Sequence, residues 1–307
     1  MDGKGLLYRV RQALDEDSTS SFMDDRTSFD YLYEAAIELA IRTKSLLASQ
    51  TITTIAGQDG YSLNADYLGL YAKDRHNNYF VKYTDSSSND SFPFWRDYED
   101  ILFENQTDSV TIPSFFTIIN DPDKDAQVTG TATSTSSATG YQSTLTDTAG
   151  DFSDVSAGDS VHNTTDGSDG IVLSKTSSTV LVVALFNGTN DDWTSGDSYV
   201  IQPQGRMKLV LSQPPSTAGE TITLNYIKRP DPVYSHYGTY RFQSHHLMAL
   251  VKYAAWLYKY KDREPQTGDM LFQYWDRQVG IGSEQTRNAM NRKGFKVNRK
   301  VRRYGTR

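Results

Sequence analysis

Residues able to do metal chemistry are few in this chain, and the pair His245-His246 is the first candidate. Both histidines begin a segment with helical periodicity, where neighbouring side chains point about 100° apart. Two adjacent imidazoles on a helix therefore do not form one metal-binding face. The chain has no cysteine, so thiolate ligands and disulfides are excluded. We expect both histidines to be ordinary residues at the start of a helix.

The aspartate-rich stretches Asn190-Asp191-Asp192 and Asp166-Gly167-Ser168-Asp169 offer carboxylates of the kind that bind Ca²⁺. Neither has the Asp-x-Asp-x-Asp-Gly spacing with a distal Glu, so we interpret both as turns. The chain also lacks a Gly-x-x-x-x-Gly-Lys-Ser/Thr phosphate loop and a Gly-x-Ser-x-Gly nucleophile motif. No two carboxylates stand out as an acid–base pair. The sequence therefore indicates no catalytic residue, no metal and no cofactor, and a protein that is not an enzyme.

The C-terminal segment after Glu284 contains many basic residues and no acidic one. Such a composition cannot bury a core, so we expect residues 291–307 to form an extended arm. Apolar side chains interrupt the cations, and Phe295, Val297 and Val301 alternate at even spacing. The candidate binding residues of this arm are Phe295, Lys296, Val297, Arg299, Lys300, Val301, Arg302, Arg303, Tyr304 and Arg307.

Three uses of this arm are open. The arm can be a solvated end, although that use gives Phe295 and Tyr304 no role. The alternation suits a strand that adds to the sheet edge of another protein. The same residues suit nucleic acid, with Lys and Arg on phosphates and an aromatic side chain stacked on a base.

The overall composition indicates a folded protein of about two domains. Of the 307 residues, 37% are hydrophobic and 12% are aromatic, which suits a fold with much surface. The net charge of −7 combines a positive arm with a more negative remainder, so the arm should bind an acidic partner. No apolar run approaches the roughly 20 residues of a membrane helix, and residues 1–5 lead into an amphipathic helix. We expect neither membrane association nor secretion.

Helical periodicity marks both ends of the chain. Gly5–Asp15 carries an apolar stripe, and a longer helix capped by Thr27 or Ser28 continues to about Ser49. The segment His246–Tyr258 is apolar around most of its circumference, so it should lie at the centre of a bundle. We predict an α+β fold in which N- and C-terminal helices form a helical bundle beside an antiparallel β region.

The middle of the chain carries strand signals. They lie at Thr51–Ile55, Tyr61–Leu63, Tyr67–Lys73, Tyr79–Tyr83, Phe115–Ile119, Arg206–Ser212 and Thr221–Ile227. The last two should close the sheet that is interrupted near Ile119. We predict that residues 1–126 and 204–290 form one discontinuous core.

Residues 127–203 differ in composition from the rest of the chain. Thr, Ser, Gly and Asp dominate, and short apolar alternations lie between turns such as Gly158-Asp159 and Gly196-Asp197. Short strands with regular turn signals are typical of small all-β units. The pattern predicts an inserted small β-barrel or sandwich domain.

The stretch Thr51–Leu63 has a Thr-rich strand, an Ala56-Gly57-Gln58 turn and a strand at Tyr61-Ser62-Leu63. In this it resembles the head-to-tail adaptor proteins (connector or head-completion proteins) of tailed bacteriophages, with Asn64 where that family usually has Pro. The segment Tyr226–Pro230, the late helix and the basic arm are also similar. The insert resembles small β modules of phage structural proteins at Leu145-Thr146-Asp147, Asp151-Phe152, 161–167 and 193–197.

The resemblance implies a structural protein of the virion, located at the neck between head and tail and made in the host cytoplasm. It implies a homo-oligomer, a closed ring of about twelve copies. In the family the ring docks under the portal protein through the C-terminal arm, which assigns portal docking to residues 295–307. Double-stranded DNA passes through the lumen without sequence-specific binding, and tail or nozzle proteins attach below.

Two alternatives remain from the residues themselves. One is a nucleic-acid-binding protein that uses the basic arm, with an affinity that falls as salt rises. The other places function in the insert, as a carbohydrate- or protein-binding module. Trp193 and Tyr199 could offer it a sugar-stacking surface, but the pattern favours core positions for both.

Overall fold

The computed structural model describes residues 1–15, 24–74, 76–102, 108–262 and 264–290. The side chains of residues 245 and 282–290 are not described. The helices are α1 (Gly3–Leu14), α2 (Asp25–Thr43), α3 (Tyr98–Leu102), α4 (Ser244–Lys261) and α5 (Pro265–Met290), with a 3₁₀ turn at Pro122–Lys124. The strands are β1 (Leu47–Thr53), β2 (Gly60–Ser62), β3 (Tyr67–Leu70), β4 (Lys82–Thr84), β5 (Asp90–Ser91), β6 (Phe94–Trp95), β7 (Phe115–Asn120), β8 (Val128–Thr131), β9 (Gln142–Thr146), β10 (Ser160–Asn163), β11 (Ser168–Ser177), β12 (Val180–Phe186), β13 (Ser198–Gln202), β14 (Met207–Leu211) and β15 (Thr221–Lys228).

The predicted fold class, an α+β fold organised as a bundle of N- and C-terminal helices, was wrong. The described residues form a mostly β structure, with 15 strands in three sheets and five α-helices. The apolar stripes of the helices are long enough to be recognised in the sequence. Many strands span only two to five residues, too few to show a period, and the sequence pattern therefore understated their number.

Two of the sheets pack face to face as a sandwich. One has the order β1-β15-β4-β5 with β3 also on β15, and the other has the order β2-β14-β7-β6. Buried side chains of both sheets form one apolar cluster, including Tyr61, Tyr83, Phe116, Leu209 and Tyr226. The strands β14 and β15 were expected to close a single sheet. Only β14 pairs with β7, while β15 pairs with β1 in the other sheet.

The third sheet has the order β8-β13-β10-β11-β12-β9 and curls into a partly closed barrel. Its two end strands approach each other where the N–H of Thr133 donates to the carbonyl of Thr146 at 2.7 Å. Inward-facing side chains from the strands and from the segments that connect them fill the interior, with Trp193, Phe152 and Tyr199 as the largest. Residues 127–203 contain all six strands, and the domain boundaries assigned above stay predictions.

The barrel begins two of its strands with the same turn. Gly158-Asp159 precedes β10 and Gly196-Asp197 precedes β13, and both glycines have positive φ, 99° and 107°. In each turn the aspartate carboxylate accepts the N–H of the residue three positions earlier, Ser156 at 2.8 Å and Thr194 at 2.7 Å. Such side-chain bonds to the local backbone stabilise a turn without help from the rest of the fold.

The helices α1, α2, α4 and α5 share an apolar cluster that also includes barrel residues Ile171, Ala184 and Phe186. Asp24 caps the N-terminus of α2, where its side chain accepts a hydrogen bond from the N–H of Thr27 at 2.8 Å. The predicted caps Thr27 and Ser28 were therefore wrong. Asp24 satisfies a free helical N–H and places its carboxylate at the positive end of the helix. None of the helices in the described ranges is long and apolar enough to cross a membrane.

A cluster of aromatic side chains packs the barrel against α2. The ring of Phe29 lies within 6.4 Å of the rings of Tyr141, Phe186 and Tyr234. The hydroxyl of Tyr141 also donates to Asp25 at 2.6 Å. Because these contacts combine apolar burial with a charge-assisted hydrogen bond, the barrel has a defined position on the helices.

Candidate assembly surfaces

The residues predicted to bind a partner all lie in the C-terminal arm, outside the described residues. Portal docking by Phe295, Lys296, Val297, Arg299, Lys300, Val301, Arg302, Arg303, Tyr304 and Arg307 therefore stays a prediction. Of the histidine pair, His246 is buried and its ring meets the ring of Phe242 edge-on at 6.4 Å. The structure thus gives His246 a packing role at the start of α4.

Among the described residues, no group of three or more His, Asp or Glu side chains could bind a metal ion. The aspartate-rich turns instead bond to their own loops. Asp166 accepts a hydrogen bond from the side chain of Asn163 at 3.1 Å, and Asp191 accepts the N–H of Gly188 at 3.0 Å. His162 and Asp169 form an exposed pair at 2.6 Å.

The aromatic residues proposed for sugar stacking are buried. Trp193 and Tyr199 are 0% and 1% exposed inside the barrel, and the hydroxyl of Tyr199 donates to Asp147 at 2.8 Å. A shallow depression of about 390 Å³ does lie on the outside of the barrel, lined by hydroxyl and amide side chains and by Tyr237. Trp193 and Tyr199 therefore lie in the core, the interpretation that the sequence favoured over a stacking surface, and both rings fill the barrel.

Helix α5 has two apolar faces, and only one of them is buried. Leu271, Trp275 and Val279 recur every four residues and pack into the helical cluster. Trp275 is held firmly: the ring of Tyr253 lies 4.9 Å away, and the guanidinium of Arg42 lies 4.5 Å above the indole. This packing fixes the orientation of α5 around its axis.

The second face of α5 is the exposed stripe, defined by Met270, Tyr274 and Ile281. These side chains are 52%, 53% and 50% exposed. Their offsets of four and eleven residues place them within about 40° of one another on the helix. Soluble proteins seldom leave an ordered apolar row on a fixed helix without a partner. The exposed stripe is therefore a candidate contact surface, and it lies on the helix that leads into the C-terminal arm.

A second surface is the aromatic segment, residues 92–102. Its exposed large side chains are Phe92, Phe94, Trp95, Tyr98 and Leu102, and the exposed acids Asp97, Glu99 and Asp100 lie among them. The segment is anchored by the parallel pairing of β6 with β7 and by Arg96, whose guanidinium lies 4.0 Å from the ring centre of Phe115. Aromatic residues concentrated at a surface are typical of protein interfaces.

The third surface is the β1 edge, the side of β1 that faces away from β15. The strand order places β1 at the end of its sheet. Exposed and partly buried side chains alternate along its seven residues, as in a strand with one face open to solvent. An edge strand presents unpaired N–H and C=O groups that can pair with another strand.

None of these three surfaces was identified from the sequence. The spacing of Met270, Tyr274 and Ile281 was visible, but it could not show which stripe of α5 faces the core. The sequence of Phe92–Glu99, with Pro93 and Trp95, predicts a loop that leads into a short helix, but residue type alone does not show which of its side chains are exposed. Residues 47–49 were assigned to the end of a helix, whereas they form the start of β1.

No known protein-family model matches the chain, and no curated protein matches it.

Proposed function

We propose that this protein is a structural subunit of a bacteriophage particle, a head-to-tail adaptor. Identical copies assemble into a closed ring that extends the DNA channel, docks on the portal protein through residues 291–307 and provides the platform for tail or nozzle proteins. The protein does no catalysis in this role. The resemblance of Thr51–Leu63 and of Tyr226–Pro230 to adaptor proteins supports the proposal.

The observation that carries the proposal is the second apolar face of α5. A ring of identical copies uses head-to-tail contacts, so each copy needs two different, complementary surfaces. The exposed stripe of α5 and the aromatic segment are two such surfaces on separate elements. Each combines ordered backbone with exposed apolar side chains, which is what a stable contact between copies requires.

The distribution of charge supports the second half of the proposal. Eight of the 31 Lys and Arg residues lie in 291–307 and none of the 38 acidic residues does, so residues 1–290 carry a formal charge of −15. A strongly acidic body repels the phosphates of a DNA duplex that passes through it. The basic arm, in contrast, suits an acidic surface on a docking partner.

The test compares the full chain with a chain that ends at Met290, using a purified portal ring. We expect both chains to fold and to form rings with the same number of copies, and only the full chain to bind the portal. A third chain retains every Lys and Arg but carries Phe295→Ser, Val297→Ser and Tyr304→Ser. If this chain binds the portal as well as the full chain, the apolar residues of the arm have no docking role.

Nucleic-acid binding is the second candidate, because the arm combines eight cations with no acid. It predicts duplex DNA binding whose logarithm falls linearly with the logarithm of salt concentration, with a slope set by the number of phosphates contacted. The variant with Ser at positions 295, 297 and 304 separates the two functions. A DNA-binding arm retains most of its affinity in this variant, whereas an adaptor arm loses its binding to the portal.

A further inference from the structure

The β1 edge has a defined set of free backbone groups. Strand β1 pairs with β15 in unbroken antiparallel register from Leu47↔Ile227 to Thr53↔Thr221. The flanking residues fix the direction of the bonds: the N–H of Lys228 donates to the carbonyl of Leu46 at 2.9 Å, and the N–H of Thr54 donates to Glu220 at 2.8 Å. Because bonding alternates along an antiparallel strand, even-numbered residues of β1 bond to β15. The N–H and C=O groups of residues 47, 49, 51 and 53 therefore point outwards, where the described part of the chain provides no strand.

This edge lacks the features that normally prevent strand addition. Its seven residues contain no charge, no proline and no bulge. The opposite end of the same sheet is protected, because β5 has only two residues and its Asp90 pairs with Lys82 at 2.9 Å. The barrel edges approach each other at Thr133 and Thr146. A long, regular and uncharged edge is a template for another strand, and natural proteins leave one open where a strand is to be added.

The inner face of β1 indicates what the added strand must look like. Ala48 and Ile52 are partly buried and pack at the margin of the sandwich cluster. Ser49 and Thr51 on the outer face are exposed and uncharged. A strand beside β1 extends both faces, so it needs apolar side chains at alternate positions and polar ones between them.

We propose that the β1 edge accepts residues 295–301 from the C-terminal arm of a second copy of this chain. This segment has the seven residues that match the length of β1. In antiparallel register Val297 would lie beside Ile52 and Val301 beside Ala48, with Phe295 on the same inner face. Arg299 would also lie on this face, beside the polar Gln50. The outer face would carry Lys296, Asn298 and Lys300. The added strand also carries Lys and Arg, which protect the new edge against further addition.

The choice of a second copy rests on the proposed ring, in which neighbouring copies lie side by side. The pairing belongs to protein that has not met a portal, because docking on a portal would require release of the arm. Its test is therefore made without portal, and it can fail while portal docking succeeds.

The first test measures amide hydrogen exchange in the full chain at ring-forming concentration. The comparison is with a variant in which Phe295, Val297 and Val301 are replaced by Ser and all cations are retained. We expect the outward amides of Ser49 and Thr51 to exchange at least about tenfold more slowly in the unmodified chain. The inward amides of Gln50 and Ile52 should exchange equally in both chains and serve as the internal reference.

Equal exchange of Ser49 and Thr51 in the two chains would overturn the proposal. If both are fast, the edge is free. If both are slow, another strand covers it, such as the β1 edge of a second copy.

The second test uses the absence of cysteine from the chain. Chains with Thr51→Cys are mixed with chains carrying Asn298→Cys, both on the outer face, and oxidised mildly, and we expect a disulfide between one of each. The matched control replaces Thr51→Cys by Ser137→Cys, at an exposed barrel residue, and should give no such product. In a chain with both Thr51→Cys and Asn298→Cys, a disulfide formed within single chains at high dilution would show that the arm pairs with β1 of its own chain, and would exclude the second copy.

Discussion

The guanidinium of Arg206 lies 2.6 Å from the carboxylate of Asp159, and the two side chains are 5% and 1% exposed. Asp159 belongs to the turn that begins barrel strand β10, and Arg206 immediately precedes sandwich strand β14. Arg206 also donates to the carbonyls of Gln204 and Asp154 at 3.0 and 2.9 Å. Burial raises the pKa of Asp159, and the charge of Arg206 acts against that rise. The pair joins the barrel to the sandwich.

We predict that Arg206→Met strongly destabilises the protein. The substitution leaves a buried carboxylate without its cation, and breaking such a pair costs about 3–5 kcal/mol of unfolding free energy. Urea unfolding followed by circular dichroism measures the change. Asp197→Asn is the matched control, because Asp197 makes the same turn without an arginine partner. A cost below that of Asp197→Asn would show that the pair does not stabilise the joint.

Neighbouring residues of α5 should respond in opposite ways to substitution. Trp275→Ala removes a fully buried ring and should lower the unfolding free energy by about 3–5 kcal/mol. Tyr274→Ser alters an exposed side chain and should change it by no more than about 0.5 kcal/mol. Tyr274→Ser should nevertheless weaken assembly, measured by sedimentation velocity. Unchanged assembly in this variant would show that the exposed stripe is not part of the contact between copies.

Stability should fall at alkaline pH between about 10 and 12. Burial, with the hydrogen bond to Asp25, raises the pKa of Tyr141 to about 12, whereas an unfolded tyrosine has a pKa of about 10. As the pH passes 10 the unfolded state loses its proton first, so deprotonation favours unfolding. The stabilisation is complete below pH 10 and is lost as the pH approaches 12.

Alkaline unfolding of Tyr141→Phe tests this account. Its free energy of unfolding should be lower than that of the unmodified chain at pH 8, and it should fall less between pH 10 and 12. The exposed Tyr8→Phe provides the control and should alter neither value. Parallel pH profiles for Tyr141→Phe and the unmodified chain would contradict the prediction.

The hairpin turn at Asp85 should loosen in acid. The side-chain amide and backbone N–H of Asn89 donate to the Asp85 carboxylate and lower its pKa below the usual value. A lowered carboxyl pKa contributes stability above its ordinary value of about 4, and that contribution is lost as the pH falls through the folded pKa. Carboxyl titration by NMR should show the pKa of Asp85 rising in Asn89→Ala. An unchanged pKa would assign the shift to other groups.

Asp74 makes the same turn one hairpin earlier, and this likeness was not evident from the sequence. Asp74 accepts the N–H groups of His76 and Asn78, as Asp85 accepts those of Ser87 and Asn89. The shared pattern is an Asp followed four residues later by an Asn. Two occurrences separated by eleven residues were too little to mark a repeat.

Local features were predictable because their causes are local. Phe29, Leu32, Ala36 and Leu39 recur at helical spacing, and they lie in α2 as expected. The end of that helix was placed too late: the helix stops at Thr43, and Lys44 has the left-handed conformation with φ of 50°. The residues of β1 that follow pair with β15, 168 to 180 positions away, and that pairing outweighs the apparent helical position of Leu46.

The sequence by itself determined where the chain can turn, which stretches can form regular structure, and that the cations are concentrated at the C-terminal end. Those properties depend on residues a few positions apart. Only the tertiary structure decided that β15 joins β1, that Arg206 meets Asp159 and that one apolar stripe of α5 stays exposed. Each of these depends on which distant surfaces pack together. That choice is made by the burial of the whole set of apolar side chains, so no single stretch of sequence contains it.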